Sequence, residues 1–144
     1  MMYLLDTNAI SEMRRLGSGK CDPRFAAWTN DAQPGELFLS AITILELEIG
    51  VLRAERNDAP KGQVLRTWLN KRVLPAFWGR ILPVTTSVAL RSAQLHVPNP
   101  CSLADGLIAA TAALHDLTLV TRNVHDFRLS GVRLVNPWEG SRLF

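Results

Sequence analysis

A short apolar run near the N-terminus that stops on a carboxylate most constrains what this chain can fold into. The segment Tyr3–Leu5 has no polar alternation, which is typical of a strand covered on both faces of a sheet. Asp6 follows it directly, and the small polar residues Thr7 and Asn8 predict a capped helix start near Ala9. In open parallel sheets, ligands bind beyond the carboxyl ends of the strands. Asp6 is therefore either a site residue or only a helix cap.

Apolar runs that alternate with amphipathic segments predict a single α/β domain over residues 1–144. The expected architecture is a three-layer α/β/α sandwich around a central, mainly parallel sheet of four or five strands. Pro83 cannot donate a ladder hydrogen bond, so it marks the end of the third strand or an edge position. The predicted strands are residues 3–5, 37–39, 80–84, 117–120 and 134–135. The predicted helices are residues 10–16, 23–32, 44–56, 62–73, 87–96 and 102–115.

The composition excludes several classes of protein. A hydrophobic content of 47% argues against intrinsic disorder. No apolar run approaches the roughly 18 residues of a membrane-spanning helix and no signal peptide is evident, so we expect a cytoplasmic protein without membrane contact. Cys21, Cys101 and the three histidines have neither CxxC nor HxxxH spacing, which argues against a structural zinc site and a disulfide. The net charge of +3 is compatible with a polyanionic partner.

Four acidic residues stand at equivalent places in the predicted fold. Asp6 follows the first strand, and Asp126 follows the fourth. Glu46 and Asp105 lie in the first turns of two predicted helices. In a parallel sheet with right-handed crossovers, these strand ends and helix starts share one edge. The sequence therefore predicts four carboxylates around one cleft.

Helix capping is the alternative explanation for two of these acids. Thr43 with Glu46, and Ser102 with Asp105, match the spacing of capping boxes. Cap carboxylates are usually exposed, however, whereas these two share helix faces with apolar residues. Those neighbours are Ile49 and Gly50 for Glu46, and Ile108, Ala109 and Ala112 for Asp105. Both carboxylates are thus expected to point toward the protein interior.

Convergent carboxylates need a cation or a change of protonation. Two charges 5 Å apart repel by about 3 kcal/mol at an effective dielectric constant of 20. Either the pKa values rise or a metal ion neutralises the acids. Oxygen ligands without His or Cys suit Mg²⁺, with Mn²⁺ as its substitute. Such an ion activates water for the hydrolysis of a phosphodiester bond.

The acidic motifs together resemble the PIN domain, and more narrowly the VapC/FitB toxins of bacterial toxin–antitoxin pairs. The resemblance covers nearly the whole chain. It rests on Leu5-Asp6-Thr7-Asn8, the Glu46 helix, Ala104-Asp105-Gly106-Leu107-Ile108-Ala109-Ala110-Thr111-Ala112, Thr121-Arg122-Asn123-Val124-His125-Asp126-Phe127 and the closing Val135-Asn136-Pro137-Trp138-Glu139.

The resemblance implies an endoribonuclease that depends on Mg²⁺. By position, Asp6, Glu46 and Asp105 match the acids that hold metal in this family. Thr7 and Asn8 match residues that order the site, and Thr121 matches a hydroxyl beside it. Many PIN domains have Asp where this chain has Asn123, and Asp126 is the nearest acid. Either Asp126 reaches the site as a fourth catalytic acid or a second metal position is weak.

The resemblance also implies partners. A cognate antitoxin of the VapB/FitA type blocks the active site in this family, and the toxins form homodimers. DNA is contacted only indirectly, through the antitoxin. Trp138, Phe144 and the apolar faces of the predicted helices 44–56 and 62–73 exceed what one small core needs. We therefore expect part of that surface to bind the antitoxin or a second copy.

Two other functions are compatible with parts of the sequence. A haloacid-dehalogenase-like phosphatase also places an Asp after the first strand, but it needs a second Asp at the position of Asn8. A catalytically silent PIN-like module that binds RNA or protein is the stronger alternative. The retention of Asp6, Glu46 and Asp105 argues against it.

Overall fold

Five parallel strands form the central layer of the protein. The computed structural model describes residues 1–139, apart from the side chain of Leu129. The strands are β1 (Tyr3–Leu5), β2 (Leu37–Ser40), β3 (Ile81–Leu82), β4 (Thr118–Val120) and β5 (Leu134–Val135). Their order in the sheet is β3-β2-β1-β4-β5, and every neighbouring pair is parallel. The predicted sheet is confirmed, with β1 in its centre and the Pro83-adjacent strand β3 at an edge.

Helices cover both faces of this sheet. Leu4 and Leu5 of β1 are fully buried and belong to two different core clusters, because successive strand residues point to opposite faces. One cluster contains residues of α1 to α4, and the other contains residues of α7 and α8. The helices are α1 (Thr7–Met13), α2 (Pro23–Asp31), α3 (Ala41–Asn57), α4 (Ala59–Trp68), α5 (Leu74–Ala76), α6 (Thr86–Gln94), α7 (Leu103–Leu114) and α8 (Val124–Phe127). None of the helices within residues 1–139 is long and apolar enough to span a bilayer.

Helix α3 begins three residues earlier than predicted. Ser40 keeps an extended backbone at the end of β2, and its Oγ accepts a hydrogen bond of 3.0 Å from the Ile42 N–H. The predicted start at Ile44 and the predicted capping box of Thr43 with Glu46 are therefore wrong. Thr43 is instead fully buried inside the helix. Ser40, rather than Thr43, is the cap because the helix can begin directly after the last residue of the strand, without a loop.

Helix α4 also begins earlier than its predicted first residue, Gly62. Asp58 caps it through a hydrogen bond of 3.2 Å from the Lys61 N–H to Oδ1. Pro60 lies in the first turn, where the missing N–H is harmless, rather than ending the preceding helix. The chain continues through a π-turn at Leu69–Val73 into α5.

Helices α3 and α4 form a closely packed antiparallel pair. A Cβ atom built on Gly62 would lie 2.5 Å from the Cα and 2.6 Å from the backbone N of Glu55. Arg66 of α4 also reaches across to Glu48 at 2.7 Å and Glu55 at 3.0 Å. The backbone approach at Gly62 thus sets the separation of the two helices.

Replacement of Gly62 by alanine is expected to destabilise the protein. The added methyl group meets the Glu55 backbone, so the helices must separate, which costs about 1–3 kcal/mol. Gly50→Ala in α3 is the matched control, because its Cβ would meet nothing within 4 Å. That change should stabilise the helix by up to about 1 kcal/mol. Urea unfolding of both variants measures the two effects, and equal effects would contradict the proposed contact.

Candidate active site

Asp6 lies at the carboxyl end of the central strand and is 5% exposed. Its backbone N–H donates to the Val120 carbonyl of the neighbouring strand β4 at 3.0 Å. Its side-chain Oδ1 accepts a hydrogen bond of 2.8 Å from the Ala9 N–H and caps α1. The cap predicted at this strand-to-helix turn is present. A cap alone does not explain the depth of burial, because cap side chains normally remain in water.

The buried Asp6 carboxyl group has a raised pKa. Burial raises it from 3.8 to about 6, because the charged form loses its hydration. The Thr121 hydroxyl and the Ala9 N–H oppose the shift by stabilising the carboxylate, while the charges of Asp105 and Glu46 increase it. Asp6, Asp105 and Glu46 therefore share one electrostatic field.

Glu46 enters this field from the second turn of α3. The Thr7 hydroxyl donates to Glu46 Oε1 at 2.5 Å and lies 3.4 Å from the Thr43 hydroxyl. Thr7 has only one hydroxyl proton, so Thr43 is the donor in the longer contact. Thr7 and Thr43 thus hold the Glu46 carboxylate in a defined position. Glu46 is half-buried. The residues that were expected to make its surroundings apolar are exposed: Ile49 is 37% exposed, and Gly50 is exposed as well. Glu46 and Gly50 line an open groove.

Asp105 enters from the first turn of α7. Its backbone N–H donates to Ser102 Oγ at 3.1 Å, so the predicted cap at Ser102 is confirmed. The Asp105 side chain is half-buried, and the predicted apolar face of Ile108, Ala109 and Ala112 is fully buried. Asp105 thus lies at the start of the core-facing side of α7, close to the edge of the sheet.

The fourth predicted acid shares a surface cavity with Asp105 but not the electrostatic field of Asp6. Asp126 is exposed on α8 and is absent from the charges that act on Asp6. Asn123 is exposed at the start of that helix and makes no side-chain cap. Thr121 is fully buried beside Asp6, and its hydroxyl accepts from the Asn123 N–H at 2.9 Å. Asn8 is exposed in the first turn of α1. Within residues 1–139, the charges of Glu46 and Asp105 act on Asp6, but Glu46 lines one groove while Asp105 and Asp126 line another cavity, so the predicted single cleft is divided.

The oxygen donors fit a hard divalent cation, although the acids are not drawn together. Within residues 1–139, no group of three or more Asp, Glu, His or Cys side chains is spaced to hold one metal ion. Like charges without a counter-ion favour such separation. Burial is the main cause of the raised pKa of Asp6. Carboxylate oxygens suit Mg²⁺ or Mn²⁺. Asp6, Glu46 and Asp105 are the residues that would hold the ion.

Sequence reasoning missed the role of Thr43. The residue was assigned to a cap, whereas its hydroxyl supports the Thr7–Glu46 pair from inside α3. Its position three residues before Glu46 places both side chains on one helix face, which was the available signal. The cysteines are both free, and Cys101 Sγ lies 3.8 Å from His96 Nε2.

The stability of the metal-free protein should depend on the ionisation of Asp6. The folded state holds a proton at higher pH than the unfolded chain, so this contribution is fully present below about pH 4 and is lost as pH rises through about 6. Asp6→Asn keeps an oxygen for the Ala9 N–H but cannot ionise. At pH 7 it should exceed wild type in unfolding free energy by about 3 kcal/mol. Urea unfolding in EDTA from pH 4 to 8 measures the difference, and a difference that is constant with pH would contradict the assignment.

Comparison with known proteins agrees with this geometry. The sequence profile of the PIN domain family matches residues 3–129. Toxin FitB of Neisseria gonorrhoeae is 40% identical over 142 residues, which are 95% of this chain and 99% of the toxin. VapC ribonuclease Y4jK of Sinorhizobium fredii is 36% identical over 143 residues, 96% of this chain and 99% of that protein.

A solved structure extends the similarity to three dimensions. The crystal structure of FitAcB from Neisseria gonorrhoeae matches with a TM-score of 0.84 and 40% sequence identity, over 95% of this chain and 99% of the matched chain. The predicted resemblance is thus confirmed in sequence and in fold. The chain belongs to the PIN domain family, in the branch that includes the FitB toxin and the VapC ribonucleases.

Proposed function

We propose that this protein is a metal-dependent endoribonuclease and the toxin of a type II toxin–antitoxin pair. The observation that carries the proposal is the buried carboxylate of Asp6 in the field of Glu46 and Asp105, at the strand-end edge of a PIN fold. The relatives named as a toxin and as a VapC ribonuclease span the chain almost completely. The reaction is hydrolysis of RNA phosphodiester bonds in the cytoplasm.

The three acids are held in position in different ways for this reaction. Bound Mg²⁺, or Mn²⁺ in its place, supplies an activated water and neutralises charge on the phosphate. Asp6 provides a rigid ligand, because its Oδ1 is fixed by the Ala9 N–H. Glu46 is oriented by the Thr7 hydroxyl. Asp105 is positioned by the first turn of α7, whose start is fixed by Ser102.

Asp126 acts at the periphery in this proposal. It is exposed, yet it lines the same surface cavity as Asp105. Asn123 lacks the charge to act as a metal ligand of the usual strength. The centre therefore depends on three acids, with Asp126 contacting it through water or substrate.

The proposed protein partners are a cognate antitoxin of the VapB/FitA type and a second copy of the chain, with DNA contacted through the antitoxin alone. Three apolar residues of α3 form an exposed stripe at helical spacing: Leu45 at 53%, Ile49 at 37% and Leu52 at 53% exposure. Val64 of α4 is 60% exposed. Trp138, however, is buried at 4% and packs on Phe25 with ring centroids 4.6 Å apart, so it was wrongly assigned to this surface. Phe144 lies outside the described residues.

Replacement of Asp105 by asparagine should abolish RNA cleavage. Asn is nearly isosteric and leaves the N–H bond to Ser102 intact, so the variant should still fold. Wild type should cut single-stranded RNA with Mg²⁺ and stop in EDTA. Asp116→Asn is the matched control at the opposite end of α7, with an 89% exposed side chain and a positive φ that Asn tolerates. An Asp105→Asn variant that cuts RNA as fast as this control would exclude Asp105 from the site. A wild type that cuts no RNA with Mg²⁺ would favour the silent-module alternative.

The ends of the RNA products should reveal how the bond is broken. A metal-activated water that attacks in line leaves a 5′-phosphate and a 3′-hydroxyl. A 2′,3′-cyclic phosphate would instead mean that the 2′-hydroxyl of the RNA attacked, without need of the three acids. Phosphatase and ligase treatment of the fragments distinguishes the two outcomes.

A further inference from the structure

A cavity of about 240 Å³ lies beside the acid site, between the loop that follows α6, the first turn of α7 and helix α8. It is smaller than the roughly 300–1,000 Å³ of sites that hold drug-sized ligands. Its volume suits one flat ring system rather than a peptide segment or a whole nucleotide. The cavity has no assigned role in the proposed reaction.

Asp105 belongs both to this cavity and to the acid site. Its charge acts on Asp6, and its side chain also lines the cavity wall. Asp126 lines the wall as well. A group that enters the cavity is therefore immediately next to Asp105.

The lining combines apolar walls with hydrogen-bonding amides. Phe127, Leu95 and Pro98 contribute apolar surface, while Gln94 and Asn99 bring side-chain amides that both donate and accept hydrogen bonds. A nucleobase presents the same combination of a flat apolar face and a polar edge. Unpaired bases in RNA are read by proteins in this way, because their faces and edges are accessible.

Close packing of α7 on α6 shapes the floor of the cavity. A Cβ atom on Gly106 would lie 2.8 Å from Ser92 Oγ and 3.0 Å from His96 Nε2. Gly106 lines the cavity next to Asp105. A larger residue would have to displace the side chains of Ser92 and His96.

A neighbouring groove supplies positive charge. This groove is lined by Arg122, His125 and Arg128 together with the acid Glu139, and it shares Asp126 with the cavity. Arg122 also lines a further groove with Arg14 and Asn8. Among residues 1–139, none of the three arginines has a carboxylate within the 4.0 Å of an ion pair. The Arg122 guanidinium lies over the Trp138 ring, 5.5 Å from its centroid. Arginines without a carboxylate partner are suited to contact phosphate groups.

We propose that the cavity between α7, α8 and the loop after α6 binds one unpaired base of the RNA, next to the scissile phosphate, while the backbone follows Arg128 and Arg122. This inference rests on the proposed function and deepens it. RNA is selected as single-stranded, because a paired base cannot enter. Preference among bases depends on the amides of Gln94 and Asn99.

The test removes single bases from the substrate and single amides from the cavity. A short single-stranded oligoribonucleotide and a set of copies, each abasic at one position, are bound to the protein in EDTA and then cut with Mg²⁺. Asn99→Ala and Gln94→Ala are the cavity variants. Asn70→Ala, an exposed amide outside the cavity, is the control.

One abasic position should weaken wild-type binding by about five- to a hundredfold, the contribution of one stacked base. Asn99→Ala should weaken binding of the intact oligonucleotide by about two- to tenfold. Removal of the base at that position should then weaken binding to this variant less than it weakens binding to wild type. The control should keep the full penalty. Removal of the base at the same position should raise KM for cleavage more than it lowers kcat.

Each contrary result is informative. Equal abasic penalties in wild type, Asn99→Ala and Gln94→Ala would overturn the proposal, as would absence of RNA binding. Cavity variants that change the oligomeric state without this coupling would assign the cavity to a second copy instead. Coupled binding without any cleavage by wild type would refute the proposed function and leave the base site supported.

Discussion

The whole site depends on one constraint, which is that a carboxylate is kept out of water at the end of the central strand. The strand β1 has β2 on one side and β4 on the other, so Asp6 emerges between two further strand ends. Thr121 follows β4, and Ser40 at the end of β2 begins the helix that holds Glu46. Because all strands are parallel, these groups meet on one edge.

Two requirements oppose each other at Asp6. Helix α1 starts on its carboxylate, and a charged cap is favoured by the helix dipole. Burial and the charges of Asp105 and Glu46 disfavour that same charge and raise the pKa of Asp6 to about 6. The free-energy cost of burying the Asp6 carboxylate is retained because the surrounding strands fix the position of Asp6. Under the proposed function, a cation held by the three acids would relieve this conflict.

Much of the fold and the core of the site were predictable from the sequence because they rest on local patterns. The five strands follow from apolar runs, and the place of Asp6 follows from the end of the first run. The start of α3 was not predictable, because Ser40 and Thr43 are both suitable caps and only the burial of Thr43 decides between them. The burial of Trp138 was also missed, since it depends on a contact with Phe25 far away in sequence. The exposure of Asp126 likewise depends on the short helix α8, which has no strong periodic signal.

The acid site has two chemically different flanks. Glu46 borders a groove that α3 and α4 form with α1, where Leu65 and Trp68 contribute apolar surface. Asp105 borders a separate cavity. A ligand on either flank excludes water from one of these carboxylates, and this raises the free energy of the ionised acids unless a cation is present. If the proposed cation binds at Asp6, occupancy of either flank is coupled to its binding, and the coupling is reciprocal because it is a difference in binding free energy.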